Sequence, residues 1–487
     1  MQYKKLTEIY EQLSSTTKRL EKIKILSKFL EYLPEDDKEV LYLLVGDIYP
    51  EYSEKKIGIS NQLAIKAISK ATGVNEKEIV KEWKIIGDIG KVAEKLIKNK
   101  KQSTLQNHVL TTEKVLFNLR KLPELGGKGT VEKKLGLITE LLTSATPKEA
   151  LYLIRTLIGD LRIGIKESTI REAMASAFFN SEKEASKEID SAIDKTNDLV
   201  SVFEIAKKGK LKGFEKLSVE VGKPIKAMLA KKVKNIAEGF KALGKPCVVE
   251  YKYDGFRLLI HKKGKEVTLF TRTLENVTKQ FPEVVDYIQR YVKGNSFIID
   301  SEAVGYDKKT KRYTSFQHIS QRIRRKYDIK KLKDELPVEI NVFDVIYYNG
   351  KSLIDEPFEK RTKLLREIVQ NNPYKIISAK QIITDDEKKA NEFYKKALKD
   401  NQEGVMMKSL DAIYKPGRRV GYMLKIKPEE NDLDLVITGA EYGKGKRTGW
   451  FSSFILSCRD KDKFLEIGKM GTGIKEKSKE EVGGVSF

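Results

Sequence analysis

Cysteine, histidine and long apolar runs are scarce in this chain of 487 residues. The two cysteines, Cys247 and Cys458, stand far apart with no metal-ligand spacing, which argues against a disulfide framework and for a reducing compartment. Three isolated histidines, His108, His261 and His318, form no H-x-x-x-H pattern, so a zinc centre is not expected. No uninterrupted apolar stretch approaches the ~20 residues that span a bilayer. The N-terminal MQYKKLTEIYEQL lacks the apolar segment of a secretory signal. A G-x-x-x-x-G-K-[ST] loop is also missing, so any bound nucleotide is gripped by side chains from strands. The expectation is a soluble, intracellular monomer with no membrane partner.

What is plentiful is positive charge: 94 Lys and Arg stand against 70 Asp and Glu, a formal +24. Such an excess favours a polyanionic partner, with nucleic acid ahead of an anionic membrane. The Lys/Glu-rich surface of a heat-adapted protein gives a similar composition, and both can hold together. The length exceeds what one core organises, so about two to four domains are expected.

Residues 1–215 read as helical, with apolar positions recurring at three and four in LSKFLEYL and ALYLIRTLIGDL. Within this region Arg155, Arg162 and Lys166 surround the turn Ile163-Gly164-Ile165, and a further helix opens near Ser168. Basic side chains beside a helix start suit DNA phosphates; an ordinary solvated basic face fits equally well. Residues 216–428 change texture, and strands alternate with shorter helices from 247 onward, which implies an α+β domain on mostly antiparallel sheets. Residues 429–487 carry three short strands between Gly/Lys-rich turns, the opening of a small β-barrel. They are fewer than a five-stranded barrel needs, so the barrel is expected to be incomplete at the C-terminus.

The stretch VEYKYDGFRLL, residues 249–259, places Glu250, Lys252 and Asp254 on one strand face, with Asp254-Gly255 as a hairpin turn. Polar groups recur on later strands of the same region: Arg272 and Asn276, then Asp300 and Glu302, Phe343 beside Asp344, Glu403 with Lys408, and Lys425 with Lys427. Brought together, Arg257, Arg272, Lys408 and Lys425 would hold a triphosphate. Asp254, Glu302 and Glu403 would take a ribose hydroxyl and Mg²⁺, a hard ion that prefers oxygen ligands. Phe343 would stack a base. Lys252, crowded by cations and partly desolvated, would titrate below the usual value of about 10.4 and serve as a nucleophile. Taken singly, Lys425 and Lys427 also fit a solvated edge strand, Phe343 a core position, and Asp300 and Glu302 surface ion pairs.

The ordered set KYDGFR, FTRTLEN, DSEAVGYD, VFDVIYYNG, EGVMMK and LKIKP resembles the motifs of covalent nucleotidyltransferases. The whole chain is similar to ATP-dependent DNA ligases of the archaeal and eukaryotic replicative type, which act in DNA replication, repair and recombination. The resemblance implies three domains: an all-α DNA-binding domain, an α+β adenylation (nucleotidyltransferase) domain and an OB-fold barrel. It implies that Lys252 is the catalytic residue that takes AMP from ATP. Glu250 would contact adenine and Phe343 stack on it, with Arg257 and Glu302 on the ribose side. Arg272, Arg419 and Lys425 would bind phosphate, with Lys408 and Lys427 as less certain members. Glu302 and Glu403 would place Mg²⁺ or Mn²⁺, and nicked duplex DNA would be the substrate.

Two departures stand out. Met423 occupies the place of a frequent aromatic, and the family's final Arg-x-Asp-Lys type motif is absent. The alternatives are therefore a nick-binding protein defective in self-adenylation, or an RNA ligase or capping-type enzyme. KQSTL around Gln102 is a weak match to a sliding-clamp contact, and a polar loop reads as well.

Overall fold

The apolar spacing of the first region does produce helices. The computed structural model describes residues 1–99, 109–325, 327–428, 432–443 and 447–472; Gln102 and its neighbours lie outside the described residues. Local signals set the helix ends. Ser60 accepts the amide of Leu63 at the start of Asn61–Thr72, and Thr146 with Glu149 forms a capping box ahead of Pro147–Leu157. The side chains of Glu149 to Leu157 are all buried, which marks this helix as the centre of its bundle.

The chain divides into two compact units. One comprises Met1–Ile48, Lys56–Thr169 and Glu430–Phe487; the other comprises Tyr49–Lys55 and Ile170–Glu429. In the first, Arg155 is 6 % exposed and donates to Asp88 through Nη2 at 2.7 Å and Nε at 3.2 Å. Arg162 bonds the same carboxylate at 3.1 Å and Asp160 at 2.7 Å. Lys22 closes the following turn from beneath, donating to the carbonyls of Ile163 at 2.7 Å and Gly164 at 2.9 Å. The expectation that Arg155 meets DNA is therefore corrected: its charge is committed to a buried carboxylate. Arg162 is largely engaged in the same way, while Lys166 is exposed.

In the second unit the strands are β1 (Leu229–Lys232), β2 (Cys247–Lys252), β3 (Phe256–Lys263), β4 (Glu266–Thr271), β5 (Ser296–Gly305), β6 (Val338–Tyr348), β7 (Lys351–Ser352), β8 (Ile376–Ser378), β9 (Gln381–Thr384), β10 (Gly404–Lys408) and β11 (Arg419–Ile426). They form two sheets, ordered β1-β11-β10-β2-β9 and β4-β3-β5-β6-β7, with β8 also on β6. Every pairing is antiparallel except β1 with β11 and β6 with β8. Inward-facing Val, Ile, Leu and Phe build a core on each sheet. Three further strands, β12 (Val436–Tyr442), β13 (Phe451–Asp460) and β14 (Lys463–Met470), make a separate antiparallel sheet. No helix among the described residues is long and apolar enough to cross a membrane.

Removing one member of a buried ion pair strands the other, at about 3–5 kcal/mol. Asp88 keeps Arg162 as a second partner, so Arg155→Ala is expected to weaken the helical unit by less than that, about 1–3 kcal/mol, read as an earlier transition in urea unfolding.

Candidate active site

The expected hairpin at Asp254-Gly255 does not form. β2 pairs with β10 and β9, whereas β3 pairs with β4 and β5, so Tyr253 to Gly255 is a crossover from one sheet to the other. Neither Asp254 nor Gly255 has positive φ. Glycine is required for a different reason: a Cβ at position 255 would lie 2.3 Å from the Ala303 carbonyl oxygen on β5. Lys252 is thereby placed at the end of β2, where the two sheets part.

Between the sheets lies a cleft of about 520 Å³. Its lining brings together Glu250, Lys252, Arg257, Arg272, Glu302, Phe343, Glu403, Lys408, Arg419 and Lys425, all singled out from sequence. Lys427 follows β11 and is not among the lining residues. Asp254 is not among them either; its amide donates to Gln402 at 3.1 Å.

Lys252 was expected among cations, but its Nζ forms an ion pair with Glu403. The pairing is enforced by register. Gly404 stands opposite Lys252 on β10, and with φ of 146° its Cβ position lies 2.1 Å from the Ile426 carbonyl oxygen. Only glycine lets β10 and β11 approach this closely, and Glu403 is delivered to Lys252 as a result. The cationic side is supplied by Lys425, whose ammonium is pulled down by burial and then by Lys252, Lys427 and Arg419. Arg419 and Arg272 are exposed at the rim.

Arg257 is fixed by Asp300, fully buried on β5. Its Nε donates to Asp300 at 2.7 Å and its Nη2 pairs with the second carboxylate oxygen. Tyr414 completes the group: its hydroxyl donates to Asp300 at 2.9 Å and accepts from Arg257 at 3.1 Å. Glu302, opposite Arg257 in the β3–β5 register, has its carboxyl pushed up to about 8 by burial, against the pull of Arg257 and Lys252. Phe343 faces the cleft, with the Arg257 guanidinium 5.3 Å from its ring centre. Behind it, Asp344 accepts from the buried Arg361 at 2.8 Å and 3.0 Å, and Arg361 also donates to the Ala412 carbonyl at 2.9 Å.

Sequence reasoning missed Tyr414, Arg361 and the anchoring role of Asp300. Tyr414 sits in an irregular loop, where no period gives it a face. The donor set fits a hard dication: Glu302 and Glu403 line the same cleft, and two carboxylates leave room for phosphate and water oxygens. No group of three His, Cys, Asp or Glu forms a closed metal centre among the described residues.

Two sheets meeting at Lys252, with carboxylates, an aromatic ring and rim cations around it, make this domain nucleotidyltransferase-like. The comparisons narrow the class. Residues 227–427 match the family model for the ATP dependent DNA ligase domain, and residues 2–175 match that for the DNA ligase N terminus. The DNA ligase of Nanoarchaeum equitans is 42 % identical, covering 100 % of this chain and 85 % of the relative. The DNA ligase of Methanopyrus kandleri is 38 % identical over 99 % and 86 %. A solved structure, Pmar-Lig_PreS3, shares the fold with a TM-score of 0.56 at 19 % identity, covering 96 % of this chain and 88 % of that one. The chain belongs to the ATP-dependent DNA ligase family.

Glu302 sets a pH dependence. Its folded-state value lies above the unfolded one, so the folded protein holds a proton that the unfolded chain loses between about 4.5 and 8. The stability this contributes is present below about 4.5 and lost as pH rises through 8. Glu302→Gln is expected to match the parent's melting temperature at pH 4.5 and exceed it increasingly up to pH 8, in a pH series of thermal melts.

Proposed function

We propose that this ATP-dependent DNA ligase seals nicks in duplex DNA through a nucleotide carried on Lys252. The observation that supports this reading most directly is the convergence of Lys252, Glu250, Glu302, Phe343, Arg419 and Lys425 on one cleft. ATP would enter with its base on Phe343 and its ribose toward Arg257 and Glu302. The phosphates would lie toward Arg272, Arg419 and Lys425. Lys252 leaves its ion pair with Glu403, gives a proton to solvent and attacks the α-phosphorus; a P–N bond forms and the P–O bond to the departing pyrophosphate breaks. AMP then passes to the 5′-phosphate at a nick, and the adjacent 3′-hydroxyl displaces it. Glu302 and Glu403 are the residues that would hold Mg²⁺ or Mn²⁺, which when bound offsets charge building on the phosphates.

In this reading residues 1–215 form the DNA-binding domain and 216–428 the adenylation domain. Residues 429–487 belong to the OB-fold, with β12, β13 and β14 as barrel strands. Lys166, exposed beside the turn held by Lys22, is the best placed of the three basic residues to meet a phosphate. The N-terminal family match favours a DNA ligase over an RNA ligase or a capping-type enzyme.

Incubation with α-labelled ATP and Mg²⁺, followed by a denaturing gel, tests the assignment. The parent is expected to carry label and to seal a nick, and Lys252→Ala to carry none. A protein that neither takes label nor seals a pre-adenylated nick would be a nick-binding protein, and label from GTP alone would favour the capping reading. DNA affinity should fall linearly on a log–log plot against salt. Lys166→Ala is expected to reduce that slope by about one phosphate contact, measured by fluorescence titration of a nicked duplex.

A further inference from the structure

One ion pair in the cleft leaves an oxygen unused. Glu250 on β2 and Lys408 on β10 are 2 % and 4 % exposed, and Lys408 Nζ lies 2.5 Å from Glu250 Oε2. Glu250 Oε1 is buried with no hydrogen-bond partner, on a residue that lines the cleft. Buried acceptors are almost always satisfied, so this oxygen calls for a donor that the described residues do not supply. The same ammonium lies 5.1 Å from the centre of the Phe343 ring and 4.5 Å from that of Phe358. One cation therefore stands behind both the carboxylate and the stacking ring.

We propose that Lys408 determines which base this pocket accepts, by holding Glu250 through one oxygen and aiming the other, ionised, at a purine 6-amino group. The inference rests on the nucleotide reading of the cleft given above. An ionised carboxylate only accepts hydrogen bonds, so it suits an amino group and opposes a 6-keto oxygen. The Glu250 carboxyl stands above its ordinary value: burial pushes it up, Lys408 is the first group that pulls it back, and Asp344 adds to the rise and Arg366 to the fall. Loss of Lys408 shifts this balance further toward the protonated carboxyl, whose hydroxyl donates to a keto oxygen. Base choice is thus set by a residue that needs no contact with the base itself.

The test measures the rate of covalent Lys252–nucleotide formation per unit substrate for ATP, inosine triphosphate and purine riboside triphosphate. Parent, Lys408→Met and Lys408→Arg full-length proteins are compared. The parent is expected to prefer ATP over both analogues by at least about a hundredfold, a conservative floor beneath the roughly 10⁴–10⁵ of a site built around a substrate N–H. Lys408→Met is expected to lower the ATP-to-inosine ratio tenfold or more, and Lys408→Arg to restore most of it. A ratio is unmoved by a general loss of active protein. An unchanged ratio in Lys408→Met overturns the proposal. So does a parent that uses purine riboside triphosphate as well as ATP, an arm that needs no variant. No covalent product from any nucleotide with the parent overturns the nucleotide reading itself, and this inference with it.

Discussion

The cleft depends on one close backbone approach. Gly255 passes so near the Ala303 carbonyl that any side chain would collide with it, and this lets the chain step from the sheet of β2 to the sheet of β3 within three residues. Had the Asp-Gly turn closed a hairpin, Lys252 and Arg257 would lie on neighbouring strands of one surface. Because it is a crossover, they lie on different sheets and both line the cleft between them. Gly404 makes the equivalent contribution from the other side, bringing β10 against β11 and Glu403 to Lys252.

Much of the site was legible in the sequence because strands alternate. A polar residue every second position on strand after strand is costly unless those faces meet something polar, and the cleft lining contains most of that set, without Asp254, Asn276, Asp300 and Lys427. Sheet membership was not legible. Local pattern places Glu250 and Lys252 on one face of a strand but says nothing about which strand lies alongside, and the hairpin expectation failed for that reason. The helical region shows the same limit. Arg155 reads as a surface cation until its partner is known, and Asp88 lies 67 positions away. Tyr414, which braces Arg257, carries no periodic signal of its own; Arg361, which braces Asp344, falls on the buried face of its helix with Phe358, Thr362 and Leu365, but a charged residue there reads as polar until its partner is known.

Buried ion pairs recur around the cleft: Lys408 with Glu250, Arg257 with Asp300 and Arg361 with Asp344. Desolvation makes such pairs poor sources of net stability, and an apolar replacement of similar shape is often as stable. Their value here is geometric. Each fixes a long side chain that would otherwise sample many rotamers, and ordering it in advance removes that entropy from the binding step. Arg361 illustrates this at one remove: by gripping Asp344 it fixes β6 at the residue next to Phe343, and so sets the plane on which a base would lie.

The division of charge follows from the same logic. A chain with a formal +24 attracts polyanions everywhere, so attraction alone cannot place a triphosphate. In the interior of the cleft each cation is matched to a carboxylate, which suppresses its long-range pull and turns it into a positioning device. At the rim, Arg272 and Arg419 are exposed, and Lys425 feels burial and its cationic neighbours strongly enough for its ammonium to be destabilised. Phosphate entering there would relieve repulsion among those cations, whereas a base or ribose entering deeper would meet cations already paired with carboxylates. In the proposed reading the orientation of the nucleotide, phosphates outward toward the rim and base inward toward Phe343, would thus be set by where the protein has left its positive charge uncompensated.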